Sequence, residues 1–260
     1  MSRPDETFSP NLLLGAMTPD DLALLQPHLV RVQLERDQVL ATANEPIRHV
    51  HFIEGGVASI VSVRPESGRT EVGIVGREGL SSPCVLMGVD RTPHEVFVQV
   101  DGSTGLRIDA DRLRDAMEAS SSLRRLMLAY AQVTFIQATA CAVGNAHHRL
   151  EARLARWLLM CHDRVEGGEI NLTHDFMAMM IASQRSGVTV TLHVLEGIGA
   201  LRSRRGRVII LDRAKLEDLA GDAYGEPEAE YRRLIGPFGR EGTVIPFDAG
   251  DRGRGMRRPV

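Results

Sequence analysis

The stretch from Leu172 to Leu211 constrains the fold most, because helix, turn and strand signals follow one another closely in it. A short helix is predicted to begin after Thr173, a residue type that caps helices. Asp175 then falls in the first turn, where the helix dipole favours an anion. A tight turn separates this helix from a second one, predicted over about 185–196. Two helices joined by a tight turn are therefore expected here.

The second predicted helix has one buried face, and a hairpin follows it. Val188, Leu192 and Leu195 recur at helical spacing, which is typical of a face that packs against a core. Gly197 suits the end of the helix. Two β-prone runs then flank a basic turn at 203–207. Helix, turn, helix and hairpin is the order of a winged helix-turn-helix, which places its second helix in the DNA major groove.

This region is basic in an otherwise acidic chain. Between Thr173 and Lys215 seven cations stand against three anions, whereas the whole chain has a formal charge of −3. A basic surface is what binding to phosphates requires. The residues expected to bind DNA lie on the free face of the second helix, at the start of the first and around the hairpin tip: Thr173, Gln184, Arg185, Ser186, Thr189, Val190, His193, Arg204, Arg205 and Arg207.

Composition bounds the class of protein. With 43% hydrophobic and 25% charged residues, the chain is typical of a globular protein. No run of about 18 apolar residues indicates a membrane span, and the polar N-terminus does not resemble a signal peptide. The three cysteines are widely spaced and form no metal-binding pattern. We therefore expect a cytoplasmic protein that is not an enzyme, with no catalytic residues, no metal site and no identified cofactor.

The N-terminal half is predicted to be a β-roll. Short β runs alternate in hydrophobicity from Val30 to about Asp109, and Gly55-Gly56 separates two of them as in a hairpin. Many short strands at this spacing indicate an antiparallel barrel or jelly roll. The predicted fold class is therefore α+β, with an N-terminal antiparallel, jelly-roll-like β-roll over 12–120.

A long helix is predicted over 121–145, followed by the winged helix-turn-helix part over 146–236 and a disordered tail over 237–260. Residues three and four apart along the long helix form a coiled-coil seam. DNA half-sites are usually read by two-fold symmetric proteins, so we expect a homodimer held by this helix. The alternative is that the helix packs only on its own roll. Because the other face of the helix, with Met127, Ala131 and Ile136, is also apolar, we expect contacts with both the roll and the partner. The predicted dimer residues are Leu123, Leu126, Tyr130, Val133, Gln137 and Ala140.

The order β-roll, long helix and winged helix resembles the Crp/Fnr family of transcription regulators. The strongest local matches are Gly55-Gly56, Gly76–Leu80, Arg153–Leu158 and the 172–211 block, within a resemblance that covers roughly 17–220. The resemblance implies a dimeric, DNA-binding regulator with a sensor roll, an operator in double-stranded DNA and RNA polymerase as a partner. It implies an effector pocket near Gly76, Glu78, Gly79, Leu80, Arg91 and His94.

Two departures from the family pattern bear on the effector. Members that bind cyclic AMP carry an Arg-Ser or Arg-Thr pair where this chain has Pro93 and His94, and Glu95 next to them would repel a phosphate. We therefore expect no binding of cyclic AMP. The alternative is a shifted alignment, in which Arg91 would take the place of the phosphate-binding arginine. No cysteine precedes Cys84, so an N-terminal iron–sulfur cluster is not expected either. The effector stays unidentified.

The recognition helix departs as well. The family often shows Arg-Glu-Thr-Val with a further Arg two positions on, whereas this chain has Arg185-Ser-Gly-Val188 and then Val190. Arg185 remains able to bind guanine through two hydrogen bonds, Ser186 cannot accept from cytosine as a carboxylate would, and Val190 is suited to a thymine methyl. We therefore expect an operator unlike the family's common half-site.

Two alternatives remain open at this stage. His49 and His51 with Glu54 resemble a cupin metal site on a β-barrel, although the usual second histidine motif is missing. A regulatory module that does not bind DNA is the other alternative, and the 172–211 block argues against it.

Overall fold

The computed structural model describes residues 8–64, 66, 68–99 and 103–240. Its first part consists of two short helices and seven strands. Pro19 starts the second helix at a position where its missing N–H costs nothing, and the Thr18 hydroxyl accepts a hydrogen bond from Asp21 N at 3.2 Å. These elements are α1 (Leu12–Gly15), α2 (Pro19–Leu25), β1 (Val30–Leu34), β2 (Val39–Ala41), β3 (His49–Ile53), β4 (Ala58–Arg64), β5 (Gly68–Val75), β6 (His94–Val98) and β7 (Ser103–Asp109).

The strands form two antiparallel sheets, in the orders β1-β7-β3 and β2-β6-β4-β5. Gly56 has a φ of 81° in the turn between β3 and β4, which is a backbone conformation that suits glycine. Phe52, Leu106 and Ile108 are buried in the core of the roll. The predicted α+β class with an antiparallel β-roll is confirmed.

Two helices lead out of the roll, α3 (Ala110–Ala119) and α4 (Ser121–His147). Ser120 caps α4 by accepting a hydrogen bond from Leu123 N at 3.2 Å. The described helix extends two residues beyond the predicted end. His148 is its extended C-terminal cap residue, which separates α4 from the next helix.

Most of the α4 face that the spacing assigned to a partner is covered by the chain itself. Leu123, Tyr130, Val133 and Gln137 are buried within the chain itself, and only Leu126 and Ala140 of the six predicted dimer residues are partly exposed. The reason is that the inner face of α4 packs on the roll. The exposed apolar side chains of α4 lie elsewhere on the helix: Leu128, Phe135 and Val143.

By length and composition, α4 would be able to cross a membrane, and it is the one such helix in the described part of the chain. Only 28% of its most apolar window is buried. A single helix of this kind is weak evidence for a membrane span, since core helices of soluble proteins have the same length and composition. The sequence alone did not indicate it.

The C-terminal part contains five helices and a small antiparallel sheet of order β8-β10-β9. Its helix pair and β-hairpin confirm the predicted winged helix-turn-helix. The elements are α5 (Leu150–Arg164), β8 (Glu169–Ile170), α6 (His174–Met180), α7 (Arg185–Gly197), β9 (Leu201–Arg204), β10 (Arg207–Ile210), α8 (Arg213–Ala220) and α9 (Glu226–Leu234).

The roll packs directly against this C-terminal part through a buried interface. The rings of Phe97 and Phe176 meet edge to face at 6.2 Å. The Trp157 indole N–H donates to Glu71 at 2.9 Å. Burial raises the pKa of Glu71 to about 8, although hydrogen bonds from Ser59 and Trp157 oppose the rise. At ordinary pH this carboxyl is therefore held mostly neutral between the two parts.

The predicted disordered tail needs a correction at 237–240. Phe238 is buried, with its ring 5.0 Å from that of Tyr231 and beneath the Arg164 guanidinium. The Arg240 side chain donates to the carbonyls of His162 and Val165 at 2.9 and 2.8 Å. Aromatic burial outweighs the Gly- and Pro-rich composition here. The rest of the predicted tail, 241–260, lies outside the described residues.

The residues of the proposed cupin site do not converge. His49 is 3.1 Å from Asp109, whereas Glu54 accepts hydrogen bonds from Ser9 and Arg31, each at 2.9 Å. His51 is buried, and that burial lowers its pKa to about 4. Within the ranges that the structure describes, no group of three or more His, Cys, Asp or Glu is suited to hold a metal. The geometry therefore gives the metal-site alternative no support.

Candidate nucleic-acid interface

Helix α7 presents one face to the core and one to solvent. Val188, Leu192 and Leu195 are fully buried, which anchors the helix on α5 and α6. On the opposite side Ser186, Val190 and His193 are exposed. The predicted recognition face is therefore free for a ligand, and Gln184 precedes it as an exposed N-cap residue.

Arg185 starts α7 and is held only loosely. Its guanidinium lies 3.3 Å from the Asp175 carboxylate, and both side chains are 67% exposed. Such surface ion pairs contribute only about 0–1 kcal/mol, because water and salt screen them. The guanidinium is thus able to exchange this carboxylate for a base edge.

Two threonines assigned to DNA already have partners within the motif. Thr173 caps α6 by accepting from Phe176 N at 3.2 Å. The Thr189 hydroxyl donates to the Arg185 carbonyl at 3.0 Å and lies 3.0 Å from His174 Nδ1. Their roles in the structure are therefore to fix α6 and α7 rather than to present free hydroxyls.

His174 connects the three parts of the motif and was missed from the sequence. Besides its contact with Thr189, its Nε2 lies 3.5 Å from the Ser203 hydroxyl on β9. Glu196 strengthens the same connection, since its carboxylate accepts from Ser203 N at 2.6 Å. Only its place directly after the cap residue Thr173 distinguishes His174 in the sequence. These bonds fix the hairpin relative to the recognition helix.

The hairpin carries its arginines around a tight tip. Gly206 has a φ of 77°, so glycine is the residue suited to that position. Arg204 and Arg205 are exposed and, within the described part of the chain, have no ion-pair partner. Arg207 instead lies 2.9 Å from Glu169 on β8. Two of the three predicted hairpin arginines are thus free cations.

Gly187 replaces the threonine that related recognition helices often carry, and packing explains it. A Cβ at this position would lie 3.0 Å from Leu150 Cδ2 and 3.2 Å from Ser183 Oγ. Both distances are shorter than ordinary carbon contacts. Glycine therefore lets α7 approach the start of α5 closely.

The predicted effector residues fall into two groups. Gly76, Glu78, Gly79 and Leu80 form a buried loop, whose Glu78 pairs with buried Arg164 at 2.8 Å. Arg91, in contrast, is exposed and pairs with Asp90 at 3.1 Å, and His94 lies 3.0 Å from the Thr92 hydroxyl. The structure therefore does not gather all six residues around one space.

The chain's own side chains fill the space beside the Gly76–Leu80 loop. Leu80 N donates to the Tyr130 hydroxyl at 3.2 Å, and a Cβ at Gly79 would lie 1.9 Å from that same oxygen. Tyr231 of α9 donates to the Glu78 carbonyl at 2.8 Å. The cavity left between these groups is about 10 Å³, which holds about one water molecule. This cavity is too small for a nucleotide-sized ligand.

Comparison with known proteins agrees with this arrangement. Residues 152–219 match the family model of the Crp-like helix-turn-helix domain. No curated protein sequence matches the chain. Similar solved structures include FixK2 from Bradyrhizobium japonicum, with a TM-score of 0.64 over 74% of this chain and 98% of its own, at 15% identity.

Two further structures share the same fold. A transcriptional regulator of the crp/fnr family from Eubacterium rectale has a TM-score of 0.61 over 80% of this chain and 97% of its own, at 17% identity. A CooA variant from Carboxydothermus hydrogenoformans has a TM-score of 0.58 over 83% of this chain and 97% of its own, at 16% identity. The chain therefore has the fold of these solved structures, and its residues 152–219 match the Crp-like helix-turn-helix domain.

Proposed function

We propose that this protein is a dimeric transcription regulator that binds a specific DNA operator through α7 and the β9–β10 hairpin. The observation that carries the proposal is the exposed face of α7 beside Arg204 and Arg205, which have no ion-pair partner among the residues that the structure describes. A helix with a free face beside clustered cations suits the major groove and its flanking phosphates.

Individual residues take different roles in this proposal. Arg185, at the N-terminal end of α7, reads a base edge, with guanine as the preferred partner. Arg204 and Arg205 bind phosphates, and Arg207 joins them when it leaves Glu169. Gln184, Ser186, Val190 and His193 line the groove, whereas Thr173 and Thr189 act mainly by fixing the helices.

The dimer uses the outward face of α4. Phe135 is 64% exposed, and Leu128 and Val143 are also exposed on this helix. Leu128, Phe135 and Ala142 follow one another at seven-residue intervals, which is the repeat of a helix seam. Two α4 helices paired there would bury the apolar surface. A two-fold dimer binds half-sites about 34–36 Å apart.

The remaining assignments complete the proposal. Residues 12–120 form the sensor roll, 121–145 the dimer helix and 146–236 the DNA-binding part. The protein works in the cytoplasm with RNA polymerase. Its effector is not cyclic AMP, because Pro93 and His94 stand where a phosphate-binding pair would be needed and Glu95 beside them would repel a phosphate.

Selection of bound sequences from a random DNA pool tests the proposal. The full chain should enrich a two-fold symmetric site, and light scattering should show a dimer on it. A matched variant, Arg185→Ala, should enrich a site with relaxed preference at one position in each half. Enrichment of no sequence by the wild-type chain would contradict the proposed function.

A further inference from the structure

The free face of α7 has an unusual composition for a helix that reads DNA. Its centre is apolar: Val190 is 64% exposed, and Val194, one turn later, is 45% exposed. The other exposed positions on this side are Ser186, His193 and Gly197. Apart from His193, the centre of the face therefore carries no long side chain that forms hydrogen bonds.

The polar side chains near this face are at its margin or already engaged. Arg185 lies at the start of the helix beside Asp175. The Thr189 hydroxyl is bonded to the Arg185 carbonyl and contacts His174. Hydrogen-bond readout by the middle of the helix is therefore restricted to Ser186 and His193.

The surroundings of the valines indicate nucleic acid as the occupant. The exposed cations Arg204 and Arg205 lie on the hairpin that Glu196 and His174 connect to α7. Cations on a hairpin joined to the recognition helix complement phosphates and leave the apolar positions of that helix for base edges. The apolar group that bases present in the major groove is the C5 methyl of thymine.

We propose that Val190 and Val194 determine specificity by contacting the C5 methyl groups of thymines in each half-site. This inference rests on the proposed function. The two positions are four residues, or about 6 Å, apart along the helix. That distance is less than two base-pair steps of about 3.4 Å. The two methyl groups should therefore belong to neighbouring or next-neighbouring base pairs.

Replacing thymine by uracil in the selected operator tests this directly, because the two bases differ only in the methyl group. Anisotropy titrations of the full chain should show about fourfold weaker binding for each contacted methyl, which corresponds to about 0.8 kcal/mol. For Val190→Ala, the affinity should be the same whether one particular position of the operator carries thymine or uracil. For Val194→Ala, the same should hold at a different position. Val63→Ala, which changes an exposed valine of β4, should discriminate as the wild type does.

A second arm separates the methyl group from the thymine base. At the same positions, 5-methylcytosine should bind more tightly than cytosine, and Val190→Ala should lose that gain at its position. The inference fails if the wild type binds its operator specifically but does not distinguish uracil from thymine at any half-site position. It fails equally if both valine variants keep the wild-type discrimination, or if 5-methylcytosine gives no gain over cytosine. Absence of any specific binding would instead overturn the proposed function itself.

Discussion

Replacing Glu71 with glutamine should remove a pH-dependent loss of stability from this protein. Glu71 lies between the roll and α5, where it accepts the Trp157 N–H at 2.9 Å and the Ser59 hydroxyl at 3.2 Å. The charged groups that act on it are Arg156 and Arg164, and both oppose the effect of burial without cancelling it. Glutamine keeps an oxygen for Trp157 and offers an N–H to Ser59, so it imitates the neutral acid.

The size and sign of the effect follow from the raised pKa. In the folded chain the pKa of Glu71 is about 8, compared with an ordinary value of 4.5. Between these two values the folded chain holds a proton that the unfolded chain has released, so the free energy of unfolding falls as pH rises. Within this range each pH unit lowers the free energy of unfolding by about 1.4 kcal/mol. Over the whole range between the two pKa values, the loss is on the order of 5 kcal/mol. Below pH 4.5 both states are protonated, and this contribution is fully retained.

Urea unfolding followed by circular dichroism at pH 5, 6.5 and 8 measures this directly. The difference in free energy of unfolding between Glu71→Gln and the wild type should move steadily in favour of glutamine as pH rises. Glu66→Gln, which changes an exposed carboxyl of a neighbouring turn, serves as the control. A difference for Glu71→Gln that is the same at all three pH values would refute the reasoning, because Glu71 would then be charged throughout.

Three further predictions concern the dimer, the effector and the buried ion pair. Phe135→Arg should give a monomer in light scattering, whereas Val63→Arg should leave a dimer. If Phe135→Arg is still a dimer, the interface does not lie on the outward face of α4. Calorimetry with cyclic AMP should show no micromolar or tighter dissociation constant, and such a constant would overturn the argument from Pro93. Arg164→Met should cost about 3–5 kcal/mol in urea unfolding by leaving buried Glu78 unpaired, and adding Glu78→Gln should recover part of that loss. If the double variant recovers no stability, the loss caused by Arg164→Met comes from the packing of Arg164 and not from its charge.

The recognition helix was predictable because its signals are local. The buried spacing of Val188, Leu192 and Leu195 and the glycine at 197 place α7 within about a residue of its described bounds. Hairpin signals such as Gly55-Gly56 predict the roll in the same way. Each of these patterns depends on residues only a few positions apart, so no knowledge of the tertiary fold is needed.

The inward face of α4 was not predictable, because both sides of the helix are apolar. Spacing shows that a seam exists, but it does not say whether the roll or a partner covers it. Tyr130 faces inward because its hydroxyl contacts Leu80 across fifty residues of sequence. Gly79 makes that contact possible by leaving space for the ring. Periodicity carries no information about such long-range pairing.

Segment 237–240 was missed for a similar reason. The Gly-, Pro- and Arg-containing composition of the chain from there on resembles a disordered tail. The order of this segment depends on distant partners, since Phe238 packs on Tyr231 and Arg240 bonds to the end of α5. His174 was missed because a single histidine in a turn is ordinary in a sequence, and its role appears only when α6, α7 and β9 come together.

DNA binding by two arginine variants tests the central claim most directly. On the selected operator, Arg185→Ala should lose about 1–3 kcal/mol and relax the preference at one base position in each half-site. Arg205→Ala should weaken binding to all sequences similarly and lower the slope of log affinity against log salt by about one. If Arg185→Ala binds that operator as tightly as the wild type and with the same sequence preference, α7 is not the recognition helix.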